Sequence, residues 1–493
     1  DDVGAWRLWL VAARTALVER VLALDPGPAG QVTAALLTGE MGHIAPELMS
    51  AMRDSGLAHL LSISGLHITL VAGIVFFAVR RLLALAPPLA LNWPVKKIAA
   101  VTAFAAISLY ALFAAPGVPT TRAWVMGSIV LLAVLVDRSP VSMRLVAWAA
   151  AVIVLTMPEA VLGPSFQMSF AAVLALIATW EVWAPLQRRW REGAGPLLRG
   201  GLGLAGMLLT TLVASLATAP FGIYHFNRLA WFGIVANLIA VPLTSIAVMP
   251  AAVLVFLLLP FGLEAWALGI MNLGNEFVVA IARSVASWPR AASAWPAMPD
   301  WGFVATIGGG VWLCLWTRRW RLLGVPAVVI GMASAWIEPI PDVLASADGR
   351  VLAARDDHGG LAMRSVPGAQ LVQETWLRRS GLATASEWPR GDGAVLGCTR
   401  DLCWVERPGH RVAIVSQARG LATGCREATL LITSLEVWRD CPAPLWLIDR
   451  TALRRDGAHA LWLGAGGAVQ IATVRKMRGA RPWTAGETRE ARK

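Results

Sequence analysis

The chain has 493 residues, of which 57% are hydrophobic and only 15% are charged. Soluble globular domains are about 45–50% apolar and about 25% charged, so the composition excludes an ordinary soluble protein and indicates a polytopic α-helical membrane protein. The net charge of +12 is typical of arginine-rich loops beside a membrane or of a polyanionic partner, and charge alone favours the loops.

The amino-terminal segment, residues 1–57, is predicted to form amphipathic lead-in helices, the first of them in AWRLWLVAARTALVERVLAL. The chain begins with Asp1 rather than Met, and no basic, apolar, small-residue signal pattern follows. We therefore interpret the sequence as amino-terminally truncated or processed.

Residues 58–338 are predicted to form a transmembrane domain. A span needs roughly 20 mostly apolar residues, and Pro242 and Pro250 could divide one long apolar run, so the span count stays open by one. The apolar stretches that qualify are 98–115, 122–136, 145–157, 165–183, 202–221, 230–259, 301–316 and 322–337, with a further span near 263–286.

Basic residues cluster in the connections between these spans. Two spans separate the first cluster from the second, and two more separate the second from the third, so these three lie on one side, which the charge rule makes cytoplasmic. If four more crossings follow, the last cluster also lies inside. The segment 322–337 then leads outward, which places the chain beyond about residue 341 outside the cytoplasm. The four clusters are Arg80, Arg81, Lys96 and Lys97; Arg138 and Arg144; Arg188, Arg189, Arg191 and Arg199; and Arg318, Arg319 and Arg321.

One apolar stretch, HLLSISGLHITLVAG at residues 59–73, carries polar side chains. On a single helix His59 and His67 would lie about 80° apart, and Ser64 and His67 would be neighbours. Polar groups at bilayer depth face the bundle interior or a water-filled path, but they also serve as hydrogen bonds between helices. Both interpretations stay open on the residues alone.

The tail differs in kind, since short apolar runs alternate with Gly, Pro, Asp and Arg. Residues 341–474 are therefore predicted to form a small extracytoplasmic β-rich (α+β) domain, and the basic residues 475–493 are predicted to be disordered. Four cysteines in the tail suggest disulfides, and pairing Cys398 with Cys403 and Cys425 with Cys441 is one of three connectivities. A zinc site is disfavoured because the sequence has no CxxC and no nearby histidine pair. The strand candidates are RVLAARD, AVLG, VAIVS, TLLITS, PLWLID, ALWLG and VQIATV.

Four segments, in order, resemble the ComEC-type competence membrane proteins. Their distinctive residues are Pro119, Arg122, Pro158, Gln167, Ser169, Phe170, Asn237 and Pro242 in the last three segments. The segments are RDSGLAHLLSISGLHITLVAG, YALFAAPGVPTTRAWVM, MPEAVLGPSFQMSFAAVLALIA and ANLIAVPLTSIAVMP. The resemblance covers roughly residues 20 to 320.

This resemblance implies a channel that passes single-stranded DNA across the bacterial inner membrane during natural transformation. It also implies work with a DNA receptor and a helicase-type cytoplasmic competence protein, without a cofactor. Such a path needs cationic or hydrogen-bonding side chains and stacking surfaces, and Arg122 is the foremost charged candidate, although it could equally snorkel to the interface. The path candidates are His59, Ser62, Ser64, His67, Arg122, Gln167, Asn237 and Asn272.

The sequence departs from the resembled family at both ends. Relatives commonly carry an amino-terminal pair of spans and an OB-type domain that this sequence lacks. Many also end in a metallo-β-lactamase-like domain whose H-x-H-x-D-H cluster holds two metals, whereas His358, His410 and His459 of this tail lie far apart in sequence. We expect a reduced version of that fold, with no metal and no nuclease activity.

Three alternatives remain. A transporter of a smaller anion or a lipid would also need broken helices and polar groups at the midplane. An envelope protein without a role in transformation could use the same scaffold. An intramembrane hydrolase using His59, His67 and Glu276 is disfavoured because the sequence contains no HExxH or equivalent pairing.

Overall fold

The computed structural model describes residues 4–114, 117–139, 142–193, 195–356, 358–364, 367–388, 395–437, 441–442 and 444–479. The chain divides into two compact units. The first, called the helical unit, comprises Asp1–Ser293 and Asp300–Met332; the second, called the sandwich unit, comprises Ala294–Pro299 and Ala333–Lys493.

The helical unit consists of α-helices joined by short connections. Its helices are α1 (Ala5–Leu24), α2 (Pro28–Thr38), α3 (Pro46–Asp54), α4 (Gly65–Ala84), α5 (Pro87–Asn92), α6 (Val95–Phe113), α7 (Val118–Leu135), α8 (Met143–Thr156), α9 (Pro164–Arg191), α10 (Pro196–Phe226), α11 (Gly233–Leu243), α12 (Met249–Leu258), α13 (Glu264–Ala286), α14 (Asp300–Leu315) and α15 (Gly324–Ala333). Two short strands, β1 (Arg228–Ala230) and β2 (Ala292–Ala294), pair with each other.

Within the described part of the chain, six helices are long and apolar enough to cross a membrane. They correspond to α4, α6, α9, α10, the continuous α11–α12 helix and α13. These six helices make the chain a multi-pass membrane protein. Three further apolar helices, α7, α8 and α14, are shorter, so the helices differ widely in length. The predicted segment 322–337 forms the ten-residue α15 with 3₁₀ turns on both sides.

The division of residues 230–259 at its prolines, which the sequence left open, does not occur in the structure. A π-helical segment, Thr244–Val248, joins α11 to α12, and the helix runs unbroken over Gly233–Phe261. Pro242 and Pro250 have no backbone N–H to donate within the helix. A local π turn adjusts the hydrogen bonding around such prolines, so the helix continues as one element rather than two short spans.

The helices before residue 58 pack into the same core as the spans. All residues of α2 except Pro28 and Gln31 are buried, and Leu37 and Met52 have no exposed surface. They join one apolar cluster with residues of α4, α6 and α13. Of the segment predicted as an amphipathic lead-in, α2 is thus part of the interior of the helical unit, while α1 buries one side only.

Glycines allow α14 and α15 to pack with their backbones in contact. A Cβ placed on Gly309 would lie 2.5 Å from the carbonyl oxygen of Gly324 and 3.0 Å from Ala327 Cβ. Gly302 and Gly331 form a second close approach, one heptad away on each helix. Small residues at such crossings are a usual means of helix association in a membrane, where burial of apolar surface gives no driving force.

The sandwich unit contains two β-sheets in its described residues. Its strands are β3 (Val343–Ala345), β4 (Leu352–Arg355), β5 (Leu361–Met363), β6 (Ser386–Glu387), β7 (Leu396–Cys398), β8 (Leu402–Arg407), β9 (His410–Val415), β10 (Leu430–Thr433), β11 (Trp446–Ile448), β12 (His459–Leu463) and β13 (Val469–Thr473), and its helices are α16 (Gln370–Arg379), α17 (Ala418–Glu427), α18 (Arg450–Asp456) and α19 (Val474–Arg478). The strand orders are β13-β12-β3-β4-β5-β6 and β11-β10-β9-β8-β7.

The two sheets face each other and carry helices on their outer faces. Val343 and Leu461 of one sheet share an apolar cluster with Val412 and Leu430 of the other. The side chains that alternate with these along each strand point outward. Those of the β11–β7 sheet pack on α17, and those of the β13–β6 sheet pack on α16. Alternation of the two faces along each strand therefore builds a helix–sheet–sheet–helix arrangement, which agrees with the β-rich domain predicted for the tail.

Several predictions for the tail are confirmed. Each of the seven strand candidates contains or overlaps a strand of the structure. Of the three disulfide connectivities that the sequence left open, the structure has Cys398–Cys403 with Cys425–Cys441, and Cys314 is free. Of the segment predicted to be disordered, residues up to Arg478 belong to α19, while residues 480–493 lie outside the described part of the chain.

Replacement of Gly309 with alanine should destabilise the helical unit by about 1–3 kcal/mol, since the added methyl group has no space beside the backbone of α15. Gly308→Ala is the matched control, because a Cβ there meets nothing within 4 Å and alanine favours the helix. Thermal unfolding of both variants in one detergent measures the difference. Equal unfolding temperatures would contradict the close contact of α14 with α15.

Loss of either disulfide should weaken the sandwich unit. Chain entropy predicts a loss of about 3 kcal/mol for Cys425→Ala/Cys441→Ala and about 2 kcal/mol for Cys398→Ala/Cys403→Ala, because the first bond closes the longer loop. Hydrogen exchange of β8–β10 in the full chain measures both losses. Peptide mapping without reductant should recover these two pairs with Cys314 alkylated, and any other pairing would refute the connectivity.

Candidate functional site

Basic residues lie where neighbouring helices end. Lys96 and Lys97, at the start of α6, form ion pairs with Asp137, just after α7, at 3.4 and 3.1 Å. Arg188 and Arg199, at the end of α9 and the start of α10, line one surface hollow. Residues of the first cluster thus lie beside the turn that carries the second, and the third cluster forms a hollow of its own. We call these ends of the helices the basic end.

Polar contacts join neighbouring helices at the opposite end. Arg122 Nη1 of α7 donates to Ser165 Oγ of α9 at 2.7 Å, and His225 Nε2 of α10 donates to Gln167 Oε1 of α9 at 2.7 Å. The hydroxyl of Tyr224 donates to Asp300 Oδ1, at the start of α14, at 2.7 Å. We call this set the polar belt; its members are Arg122, Ser165, Gln167, His225, Tyr224 and Asp300.

Arg122 is the unusual member of the belt. It is 5% exposed, and its Nε is buried without a hydrogen-bond partner among the described residues. No ion pair joins it to a carboxylate in that part of the chain. Removing a charge from water costs several kcal/mol unless an opposite charge compensates it, so the site carries an electrostatic cost that the described protein groups do not offset.

Two helix N-termini add positive potential at the same place. Arg122 lies just beyond the first turn of α7, and Ser165 is the second residue of α9. Neither N-terminus is capped by a side chain, so their free N–H groups contribute partial positive charge. The guanidinium and both helix ends therefore favour an anion.

The structure overturns the single helix assumed for residues 59–73. His59 lies in a 3₁₀ turn, Ala58–Leu60, and α4 begins only at Gly65 with Ser64 as its N-cap. The Ser64 N–H donates to His67 Nδ1 at 3.1 Å, and the serine hydroxyl lies 3.2 Å from the same nitrogen. This reciprocal cap starts the helix at that point, so the predicted 80° relation between the two histidines does not apply.

The histidines and Ser62 occupy different surroundings. His59 is exposed, with Nδ1 3.2 Å from the Gly56 carbonyl oxygen, and Ser62 is half-buried in the bend before α4. His67 has no exposed surface, and its Nε2 is buried without a partner among the described residues. Glu276, considered with them as a hydrolase centre, is an exposed residue of α13.

Asn272 belongs to a buried cluster between α2 and α13. Thr33 Oγ1 donates to Asn272 Oδ1 at 2.5 Å and accepts from Asn275 Nδ2 at 2.8 Å. All three residues are buried. Hydrogen bonds of this kind join helices in an apolar interior, so the contacts of Asn272 link α13 to α2.

Asn237 makes a local bond. Its Nδ2 donates to the Gly233 carbonyl oxygen, one turn earlier in α11, at 2.8 Å. Its Oδ1 is buried and has no partner among the residues that the structure describes. The side chain therefore offers an unused acceptor near the N-terminus of this long helix.

Of the eight predicted path residues, the structure brings Arg122 and Gln167 together in the belt and places the others elsewhere. Ser165, Tyr224, His225 and Asp300 were missed. His225 and Tyr224 follow a long apolar run, and that position could have indicated them. Among the described residues, no three His, Cys, Asp or Glu side chains are grouped so that they could hold a metal ion.

The fold and these contacts define a multi-pass membrane protein whose helices carry a basic end and an opposite polar belt. The family described as "Competence protein" matches residues 36–320. The chain belongs to this family.

Curated relatives agree with the family assignment. The chain is 29% identical over 382 residues to the uncharacterized protein YcaI of Escherichia coli, covering 75% of this chain and 46% of that protein. It is 34% identical over 226 residues to competence protein ComA of Neisseria gonorrhoeae, covering 45% and 29%. It is 23% identical over 250 residues to ComE operon protein 3 of Bacillus subtilis, covering 51% and 29%.

The chain thus spans less than half the length of these relatives. No solved structure matches it.

The cap at the start of α4 yields a prediction for His67. Glutamine at this position of a capping box also accepts from the N-cap N–H, so His67→Gln should stay within about 0.5 kcal/mol of the native protein. His67→Ala should lose about 1–2 kcal/mol because it removes the cap. Thermal unfolding in detergent compares them. If both variants lose equal stability, the imidazole stabilises the helical unit by contacts other than the cap.

Proposed function

We propose that this chain passes single-stranded DNA across the bacterial inner membrane during natural transformation. Membership of the competence family supports this assignment, as do relatives named as competence protein ComA and ComE operon protein 3. The observation that carries it is the buried Arg122, a positive charge without a carboxylate partner in the described chain.

The basic end faces the cytoplasm in this proposal, because arginine-rich and lysine-rich connections are retained there. The polar belt then lies at the outer ends of its helices, where an incoming strand arrives. In this orientation α14 begins at Asp300 on the outer side and leads to Arg318 on the cytoplasmic side. The polypeptide then returns outward through α15. The sandwich unit is therefore assigned to the periplasm, and its two disulfides suit that oxidising compartment.

The belt supplies the chemistry that a nucleotide chain needs. A phosphate requires a cation or hydrogen-bond donors, and bases require donors, acceptors and aromatic faces. Arg122 provides the cation, and the pair formed by Gln167 and His225 provides donors and acceptors. Tyr224 stacks on Phe303 with ring centroids 3.7 Å apart, which places an aromatic pair at the same end.

Partners follow from the direction of transport. A strand that arrives from outside must be delivered by a DNA receptor, and a strand that enters the cytoplasm must be drawn in by a helicase-type protein. We assign no enzymatic step and no resident metal to this chain.

Deletion of the gene should reduce transformation with purified marker DNA to background, and the native chain supplied in trans should restore it. The physical reason is that a polyanion cannot cross the apolar core without a protein path. Colony counts and entry of labelled DNA into the cytoplasm measure the effect. Electroporation of the same DNA is the control, since it bypasses the membrane step and should be unaffected.

Two results would refute the proposal. Undiminished entry of labelled DNA in the deletion strain would remove the chain from DNA uptake. Flux of a small anion or a lipid through vesicles that hold the purified chain, with no DNA entry in cells, would assign it to transport of that smaller substrate.

A further inference from the structure

The start of α9 combines a buried cation with an aromatic surface. Arg122 reaches Ser165 at the N-terminus of this helix, and the next residue, Phe166, stacks on Phe170 with ring centroids 4.2 Å apart and planes inclined by 30°. Phe166 is only half-buried. Cationic and aromatic groups therefore occur within one turn of each other.

We propose that this place is a nucleotide-binding site, in which Arg122 and the uncapped N-terminus of α9 hold one phosphodiester and Phe166 stacks on the adjoining base. This inference rests on the proposed function and specifies where the strand is held. The bound phosphate accepts from the free N–H groups of α9 and from the unpartnered Nε of Arg122. The site reads no base sequence, because stacking tolerates every base.

A nucleic-acid phosphodiester fits better than a lipid headgroup. Arg122 is enclosed between helices and 5% exposed, whereas an arginine that binds lipid lies on the outer surface of a bundle. A lipid headgroup also has no planar ring for Phe166 to stack on. The neighbouring bond from His225 to Gln167 adds neutral donors and acceptors of the kind that base edges use.

The first test compares Arg122→Gln with Arg144→Gln in the full chain purified in a nonionic detergent. Arg144 is an exposed arginine near the start of α8 at the basic end, so the control removes the same charge elsewhere. Binding of oligothymidylate should weaken about tenfold or more in Arg122→Gln and stay within about twofold in the control. The slope of log affinity against log salt should fall by about 0.7, as for one lost phosphate contact.

The second test separates the phosphate from the base. Dimethyl phosphate should raise the unfolding temperature of the native chain but not of Arg122→Gln. Phe166→Leu should weaken oligothymidylate about fivefold or more and leave the response to dimethyl phosphate unchanged. An oligonucleotide with a neutral methylphosphonate backbone should bind the native chain and Arg122→Gln equally.

Stability distinguishes binding from packing. Without a ligand, Arg122→Gln should unfold at the same or a higher temperature than the native chain, since it removes a buried charge that lacks a counter-ion. A lower unfolding temperature together with unchanged oligonucleotide binding would make Arg122 a structural residue and overturn the site. Displacement of bound oligothymidylate by phosphatidylglycerol, added as a competitor, would identify a lipid site and overturn the proposal as well.

The site and the proposed function can fail separately. If deletion abolishes DNA uptake but Arg122→Gln binds oligothymidylate normally, the strand is held elsewhere and only the site is wrong. If deletion leaves DNA uptake intact while dimethyl phosphate still stabilises the chain through Arg122, the oxyanion site stands and transport of DNA is wrong.

Discussion

The helical unit depends on the rule that a polar group in an apolar interior needs a partner. Most of its buried polar side chains satisfy that rule within the protein: Thr33 bonds both asparagines of α13, and Tyr110 donates to the Leu36 carbonyl oxygen at 2.8 Å. Each such bond contributes about 1 kcal/mol or less in a membrane. An exception such as Arg122 is therefore informative, because leaving a buried charge uncompensated costs more than several of these bonds supply.

The distribution of charge follows from the same rule. Lysines and arginines of the connections lie at one end, where water solvates them and Asp137 pairs with two of them. At the other end Arg122 is buried, and the polar groups around it, which are partly or fully exposed, bond to each other across helices. An orientation in the membrane and a location for ligand binding thus come from one segregation of side chains, with solvated charges at the basic end and a buried cation at the belt.

Much of the architecture could be predicted from local patterns. Alternating apolar runs indicated the strands of the sandwich unit, and long apolar runs indicated the spans, since both signals depend on periodicity over neighbouring residues. The cap formed by Ser64 and His67 was missed because histidine replaces the usual glutamate or glutamine three residues after the serine. The helix was therefore extended too far towards His59.

The belt could not be assembled from sequence in the same way. Arg122 and Ser165 are 43 positions apart and Gln167 and His225 are 58 apart, so their contacts depend on how α7, α9 and α10 pack. Arg122 and Gln167 were identified through their family motifs, but the motifs do not state that Arg122 contacts α9 or that Gln167 contacts α10. Asn272, predicted as a path residue, likewise has a partner that the sequence did not indicate, since it bonds Thr33, 239 positions away, in the core.

Burial of Arg122 in the belt has a consequence for transport under the proposed function. With Arg122 5% exposed, the arrangement around this side chain is a closed one, and under that proposal a strand must separate α7 from α9 to reach it. The described polar bond between these helices at the belt is that from Arg122 to Ser165, which is weak compared with the interaction of a guanidinium with a phosphate. A ligand shifts such an equilibrium by its difference in affinity for the two states. Because the strand supplies the counter-ion that the closed state lacks, its own binding favours the opening through which it passes.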